Sequence, residues 1–491
     1  MVAAPLRPPG GATRLAQTRA PRLAPAPTPS FWHTRGLLQH GQPVVLPRVE
    51  APKQHTADVA IIGSGIAGTS LAYHLSRLDP DVTVALVDGR HIAGGATGRN
   101  GGLLWPCLNA SFKKMLATKG VASSSEIMRF EEQASTAAAD FIEQTPGMRE
   151  LVEFAWLKEG GLYLFESEEE AYDELQELKA MTDRGWSTDL EVWGAAETNK
   201  RLGSVGYHGA IRYPKVGKVW AARWALGVAL QAAKAAANGA CGGVGLCGSR
   251  LAIFEGAKAT AVDDVRPSAA DYTAAGLNRP HGLKVHTSRG DVISARAVVH
   301  CTNAYSSALL PELRGLLIPV RNHVAATAPL HASQAMLDIA VYARRGYVYW
   351  SPRPDGRLVF GGFRDEVPGM EEGNDDDANL DQHIRSRLHE YLPAHFPSRF
   401  DGAACGPHFE MEWAGILGFT ADRFPLVGAL PAAPPSAGPS CSRAGQFICA
   451  GFSGHGMTRA FSSAEGLARQ LLQLPGGRAP LPLAFQPHGR M

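Results

Sequence analysis

One short run constrains the fold more than any other part of the chain. Asp58-Val59-Ala60-Ile61-Ile62, an apolar stretch of strand type, passes directly into Gly63-Ser64-Gly65-Ile66-Ala67-Gly68. Strand, glycine turn and helix in immediate succession form the context that a dinucleotide fingerprint requires. The first glycine permits the tight turn, the second lets a pyrophosphate approach the backbone, and the third lets the helix lie close on the sheet. The helix N-terminus adds free N–H groups and the positive end of its dipole. Leu71, Leu75 and Leu78 then recur at helical spacing, and Val82 to Val87 is a second apolar run ending in Asp88. An acid there is placed to accept hydrogen bonds from an adenosine ribose. The unit predicts an α/β, Rossmann-like domain with Gly63, Gly65, Ile66, Ala67, Gly68 and Asp88 as cofactor contacts. By itself it does not separate FAD from NAD.

The rest of the chain sets limits. At 491 residues and about 150 residues per domain, roughly three units would fit. A formal charge of +2 with mixed signs leaves no electrostatic footprint for nucleic acid, so a small ligand is expected. Every hydrophobic run is broken before 18 residues, so no membrane span is expected. Cys107, Cys241, Cys247, Cys301, Cys405, Cys441 and Cys449 are odd in number and lack Cys-x-x-Cys spacing, so they read as scattered thiols with no metal site. Before Glu50 there is no acidic residue and no lysine, while Arg7, Arg14, Arg19, Arg22, Arg35 and Arg48 lie among Ala and Pro. Such a leader suits a transit peptide to the mitochondrion or plastid. A disordered tail on a cytoplasmic protein is the alternative, because the prolines spoil an amphipathic helix. A cleavage, if made, is expected before Ser30-Phe31-Trp32, where ordered chain is expected to start.

A second glycine loop, Gly94-Gly95-Ala96-Thr97-Gly98-Arg99-Asn100-Gly101-Gly102, follows the second strand. Its backbone could lie against a flat ring system without side-chain interference. Here the chain resembles the D-amino-acid-oxidase-like superfamily, which includes sarcosine, glycine and gamma-glutamylputrescine oxidases. In that likeness Ala96, Thr97, Gly98, Arg99, Asn100, Gly101 and Gly102 form the second flavin-contacting segment. His300-Cys301-Thr302-Asn303-Ala304-Tyr305 is similar to the strand end that closes over the cofactor, which implies contacts from Thr302, Asn303 and Ala304. Leu358 to Gly362 resembles a strand of the substrate sheet, and Trp413 to Thr420, with Asp422 and Pro425, the run before the last flavin loop. Gly451-Phe452-Ser453-Gly454-His455-Gly456-Met457 resembles that loop itself. The likeness spans about residues 57 to 474. Within the superfamily it is nearest to gamma-glutamylputrescine oxidases, through Arg99-Asn100-Gly101-Gly102, through Gly454-His455-Gly456 followed by Thr458, and through Glu159-Gly160-Gly161-Leu162.

The last loop also has a physical reading. Phe447 to Ala450 reads as a strand, and Met457, Phe461, Ala464, Ala468 and Leu471 share one helical face. The loop between them aims a helix N-terminus inward, where its dipole can stabilise negative charge on a reduced flavin. Gly454, His455, Gly456, Met457 and Thr458 are therefore candidate contacts. His455 is either an acid–base residue or only a backbone donor. Departures from the sarcosine-oxidase pattern matter too. Thr458 stands where that pattern has a carboxylate-holding lysine, Val359 where it has an oxygen-activating lysine, and Leu417 where it has a flavin-tethering cysteine. The resemblance therefore implies non-covalent FAD and a substrate that need not present an α-carboxylate.

Alternation along Tyr347 to Ser351 puts Tyr347, Tyr349 and Ser351 on one face, away from Val348 and Trp350. Tyr347 and Tyr349 are pocket candidates for an amine, with core filling as the alternative. Trp105 and Trp220 are weaker candidates. Residues 121 to 145 and 166 to 185 read as helices. Two hairpins are expected at Ser288-Arg289-Gly290-Asp291 and at Pro352 to Arg357, and two surface insertions at 236 to 250 and 431 to 445. The expected fold is α/β, a DAO-type Rossmann-like FAD domain interleaved with a substrate domain on a mixed or antiparallel sheet. After an extension over 1–50, the FAD parts would be 51–145, 215–320 and 405–475, the substrate parts 146–214 and 321–404, and 476–491 a tail. The expected reaction is oxidation of a substrate CH–NH bond to an imine by hydride transfer to flavin N5, with oxygen as acceptor. The alternatives are a dehydrogenase serving a quinone or electron-transfer protein, or a flavin-binding protein without turnover.

Overall fold

The computed structural model describes residues 19–34, 38–39, 42–43, 53–106, 108, 110–238, 250–265, 277–400, 407–431 and 443–491. Most of the two expected insertions, together with Cys107, Cys241, Cys247, Cys405 and Cys441, lies outside them. The described Cys301 and Cys449 are both buried free thiols.

Strand β1 (Gln54–Ile62) is buried throughout its C-terminal half, as a strand covered on both faces should be. It turns through Gly63 into helix α1 (Ile66–Leu78), and β2 (Val84–Val87) returns parallel to it. Helix α2 (Phe112–Gln144) starts on a Ser111 cap and kinks at Gly120, whose φ is +76°. A second sheet begins with β3 (Gly161–Leu164), followed by α3 (Glu168–Thr182), β4 (Glu191–Gly194) and β5 (Gly209–Tyr213). The chain comes back through α4 (Ala221–Asn238), β6 (Leu251–Phe254) and β7 (Ala259–Asp264). The expected hairpin follows as β8 (Leu283–Thr287) and β9 (Val292–His300). It then crosses again to build β10 (Leu317–Thr327), β11 (Ala340–Ala343), β12 (Val348–Pro352), β13 (Leu358–Gly362), α5 (Gln382–His395) and β14 (Phe409–Thr420). A last return gives β15 (Leu426–Ala429), β16 (Gln446–Ala450) and α6 (Gly456–Leu471).

The first sheet runs β6-β2-β1-β9-β8-β7, with β16 parallel to the upper end of β9 and β15 antiparallel to β16. The second runs β14-β10-β13-β12-β11-β3-β5-β4 and is antiparallel except where β3 meets β11, so it is mixed. Helix α1 packs on α4 and α6, and Tyr73, Phe141, Trp224 and Phe461 interlock there. The α/β architecture is as expected, but three boundaries differ. Strand β14 falls within the expected FAD part from 405, yet it pairs with β10 along its whole length and belongs to the second sheet. Which sheet a strand joins depends on a distant partner, which its own residues do not name. Ordered chain starts before Ser30, since residues 19–29 already bond to the body of the molecule, as set out below. Residues 476–491 are fastened rather than a loose tail. Phe485 is buried with its ring centroid 5.0 Å from that of Phe130, and Arg490 Nη2 donates to Asp422 at 2.5 Å. Among the described residues no helix is long and apolar enough to cross a membrane.

Candidate active site

The C-terminal ends of β1, β2, β9 and β16 surround a cavity of about 180 Å³ lined by Gly63, Gly65, Asp88, Thr97, Asn303 and Gly456, among others. The glycines are needed sterically. A methyl on Gly68 would lie 1.8 Å from the Gly63 carbonyl oxygen, and one on Gly63, where φ is +108°, would lie 2.6 Å from that of Cys301. A methyl on Gly65 would meet Thr97 Oγ1 at 2.9 Å. That hydroxyl accepts from Ile66 N at 3.0 Å, which ties the second glycine loop to the first turn of α1. Asp88 is held in place by Ser64 N and Ser64 Oγ, which donate to Oδ2 at 2.7 and 2.8 Å, and by Arg90 N, which donates to Oδ1 at 2.7 Å. Ile66 and Ala67 line the same cavity, with Thr302 opposite. Gly68 stays in the α1 contact, and Ala304 is buried behind Gly418.

The 94–102 loop shapes itself. Asn100 Nδ2 donates to the carbonyls of Thr97 at 2.8 Å and Ala96 at 3.2 Å, and its Oδ1 accepts from Gly102 N at 2.8 Å. Arg99 lines the larger cavity. It is 5% exposed, and its head group is spent on protein. Nη1 donates to the Ala414 carbonyl at 2.7 Å and Nη2 to the Thr28 carbonyl at 2.8 Å, with Asp377 beyond at 3.9 Å. Burial holds this guanidinium down at about 10, and its bonds tie the loop to β14 and to the N-terminal segment. Gly98 and Gly102 face the N-terminal strap: Ser30 Oγ donates to the Gly98 carbonyl at 2.5 Å, and the Trp32 ring fills the space that a side chain on Gly102 would need. Pro21 and Leu23 of the same strap complete the rim of the smaller cavity.

Ala96, Asn100, Leu417, Gly454 and Met457 also line a larger cavity of about 620 Å³, so the two adjoin along a shared wall and together make up a trough with a narrow and a wide end. Glycines 65, 101 and 456, far apart in sequence, converge on it. Tyr347, Tyr349, His455 and Thr458 all line the larger end, whereas Val348 and Trp350 sit in the core of the second sheet. Tyr349 packs its ring on Gly101 and accepts from Asn322 Nδ2 at 2.8 Å. Burial pushes the Tyr347 hydroxyl up to about 12 and Tyr349 higher still, so both stay protonated. Burial pushes His455 down to about 3, which leaves a neutral ring. Trp105 lines this end, stacked 4.3 Å from Tyr342, while Trp220 does not and instead donates to the Trp32 carbonyl. Val359 is buried in the core. Arg364, Arg423, Phe419, Tyr342 and Asn322 also line the larger cavity. Sequence reasoning had Phe419 within the Trp413 to Thr420 run but not as a site residue, and it missed the other four because none stands in a motif. A strand-end arginine such as Arg364 gives no signal of burial.

The trough fits FAD. Its narrow end has a glycine cradle, an oriented acid and the first turn of α1 for a diphosphate. The N-terminus of α6, at Gly456, lines its narrow end, and the wide end combines aromatic rings with charged side chains such as Arg364 and Arg423. Among the described residues no group of three or more His, Cys, Asp or Glu is placed to hold a metal ion.

Comparison with known proteins agrees. "Probable oxidoreductase OrdL" of Rhizobium meliloti (strain 1021) is 26% identical over 409 residues, covering 83% of this chain and 81% of the relative. Glycine oxidase from Geobacillus kaustophilus superposes with a TM-score of 0.65 at 20% identity, over 89% of this chain and 100% of that one. L-amino acid deaminase from Proteus vulgaris gives 0.63 at 17% identity, over 90% and 99%. The family model described as DAO, FAD dependent oxidoreductase, matches residues 58–470, a span that takes in every glycine loop of the trough. The chain belongs to the DAO family of FAD-dependent oxidoreductases.

Proposed function

We propose that this enzyme oxidises the C–H bond beside the nitrogen of a small amine or amino acid, giving an imine that water then hydrolyses. The observation that carries the reading is a shared wall, because the glycine-lined cofactor cavity and the larger cavity holding Tyr347, Tyr349 and His455 have Ala96, Asn100, Leu417, Gly454 and Met457 in common. Bound FAD supplies the hydride acceptor. The chain supplies the rest. Gly63, Gly65, Thr97, Asn303 and the α6 N-terminus hold and polarise the cofactor without a covalent tether, since Leu417 carries no nucleophile. The aromatic wall excludes water, and the tyrosine hydroxyls stay protonated as donors. His455, kept neutral by burial, stands in the same wall. The names of the structural neighbours, glycine oxidase and L-amino acid deaminase, support amine chemistry on this fold.

Oxygen is the proposed acceptor. Val359, standing where the sarcosine-oxidase pattern has its oxygen-activating lysine, favours a second reading, in which electrons pass to a quinone or an electron-transfer protein. Anaerobic addition of amines and amino acids to the purified yellow holoprotein tests the first step, with bleaching of the visible flavin band as the expected result. Absence of bleaching across polyamines, N-methyl amines and amino acids would refute it and leave a flavin-binding protein without turnover. Rapid dye reduction with slow peroxide formation would select the dehydrogenase.

A further inference from the structure

Two thiols that read as scattered in the sequence, Cys301 and Cys449, stand side by side in the wall of the cofactor cavity. Strands β9 and β16 run parallel in a register that pairs Val299 with Phe447 and His300 with Ile448. The next step of that register sets Cys301 beside Cys449. Residues directly opposite one another share a face of the sheet. Accordingly Val299, Cys301, Phe447 and Cys449 pack in one core cluster, while Ile448 and Ala450 pack in another. Neighbouring strands lie about 4.8 Å apart, inside the span of about 4.4–6.8 Å between Cα atoms that a disulfide bridges. The two thiols are within hydrogen-bonding reach of each other. That contact, and then burial, holds the Cys301 thiol well above the ordinary thiol range. Cys301 is 6% exposed and Cys449 fully buried. Both line the cofactor cavity and neither lines the larger one, so bound FAD stands between them and dissolved oxidants.

We infer that Cys301 and Cys449 form a thiol oxidation site that FAD shields: once the cofactor leaves, hydrogen peroxide converts the pair to a disulfide that hinders FAD from returning. Water entering the cavity relieves the burial, which frees a fraction of thiolate to attack. One thiol and peroxide give a sulfenic acid and water, and the second thiol then displaces water from that sulfur to form the S–S bond. Two thiols thus lose two electrons, and one peroxide takes up both protons and leaves as two waters. The bond would act on the cofactor site directly. Cys301 leads into Thr302 and Asn303 and Cys449 leads toward Phe452 and Gly454, all of which line the cavity. Gly451 N donates to Asn303 Oδ1 at 2.9 Å, so the two loops already lean on each other. The Cys301 carbonyl oxygen lies against the dinucleotide turn, 2.6 Å from where a methyl on Gly63 would stand. Drawing the sulfurs to about 2.05 Å therefore moves both loop roots and the turn.

The test needs no substrate and no turnover. Holoprotein and protein stripped of FAD are treated with hydrogen peroxide, blocked with iodoacetamide and digested without reductant, and the peptides are mapped by mass spectrometry. FAD rebinding is followed by quenching of FAD fluorescence. Peptides linked through Cys301 and Cys449 are expected from the stripped protein only, with FAD binding weakened at least tenfold and restored by dithiothreitol. Cys301→Ala and Cys449→Ala should each show the same FAD affinity before and after peroxide. Absence of the linked peptides, or a link that forms as fast in the holoprotein, overturns the inference, and the map decides this on the unaltered chain whether or not a variant folds. So does linked protein that binds FAD as tightly as the reduced form. Weakening that persists in both alanine variants would assign the effect to another thiol and overturn it as well.

Discussion

Deleting residues 1–29 should loosen FAD, because the strap they end in pins the loop against which the cofactor lies. Thr28 is the pivot. Its carbonyl accepts from Arg99 Nη2 at 2.8 Å, its hydroxyl accepts from Ala414 N at 2.9 Å, and its own N–H donates to the Asp377 carbonyl at 2.8 Å. Arg90, which donates to Asp377 at 2.7 Å, also reaches the Ala24 carbonyl at 3.0 Å. A hydrogen bond from a charged donor contributes about 1.5–3 kcal/mol and a neutral one about 0.5–1.5 kcal/mol. Loss of the Arg99 and Ala414 bonds therefore costs about 2–4.5 kcal/mol, and the burial of Arg99 limits replacement by water. If pinning of 94–102 is required for binding, this deficit falls on FAD affinity, where about 1.4 kcal/mol is tenfold. The dissociation constant should rise roughly 30-fold to 2,000-fold, nearer the lower figure if water enters. Recovery of FAD fluorescence on dilution measures it, with a chain starting at residue 19 as the control that keeps the strap. A chain starting at Ser30 that retained FAD as tightly as the full chain, and melted at the same temperature, would refute the argument.

Gly68→Ala should give protein that purifies without its yellow colour, since the added methyl meets a backbone carbonyl at 1.8 Å, and a normal flavin-to-protein absorbance ratio would contradict this. Tyr347→Phe removes a hydroxyl that no described residue uses, so the melting temperature should hold while KM rises. Unchanged KM would place that hydroxyl outside the substrate's reach. Tyr349→Phe takes an acceptor from the buried Asn322 amide and should cost about 1–2 kcal/mol in denaturant unfolding. Burial, followed by Glu170, raises the Glu174 carboxyl at the rim of the larger cavity from 4.5 to about 7. The folded state then binds the extra proton, so stability is full below pH 4.5 and declines as pH rises through 7. Glu174→Gln should flatten that decline between pH 5 and 8, and an unchanged slope in thermal melts would show that another group governs it.

The dinucleotide end was legible because its chemistry is local. Gly63, Gly65 and Gly68 answer to a turn and a helix start only a few residues long, and Asp88 ends the next strand. The wide end was legible only where a likeness to a known family could be laid over it, as with His455 and Thr458, or where strand alternation applied, as with Tyr347 and Tyr349. Three features escaped because they depend on partners far along the chain. Strand β14 looks the same from its own residues whichever sheet it joins, and only its register with β10 decides. Arg99 sits inside a flavin-loop motif yet spends its charge on Thr28 and Ala414, which lie 71 and 315 residues away. Thr28 itself is one polar residue in an Ala/Pro stretch that composition assigns to a dispensable leader.

Arg364 is the most instructive of these omissions. Phe363-Arg364-Asp365-Glu366 reads as a polar strand end, where charge is expected to be solvated and the arginine to pair with its acidic neighbours. Folding does otherwise: Arg344 pairs with Asp365 and Arg387 with Glu366, each at 2.7 Å, and the Arg364 guanidinium is turned toward the rings of Tyr347 and Phe419. A protein that gained nothing from this arrangement would be stabilised by replacing that arginine with an apolar side chain of similar volume. Local rules of residue placement fail chiefly where function requires an unfavourable arrangement.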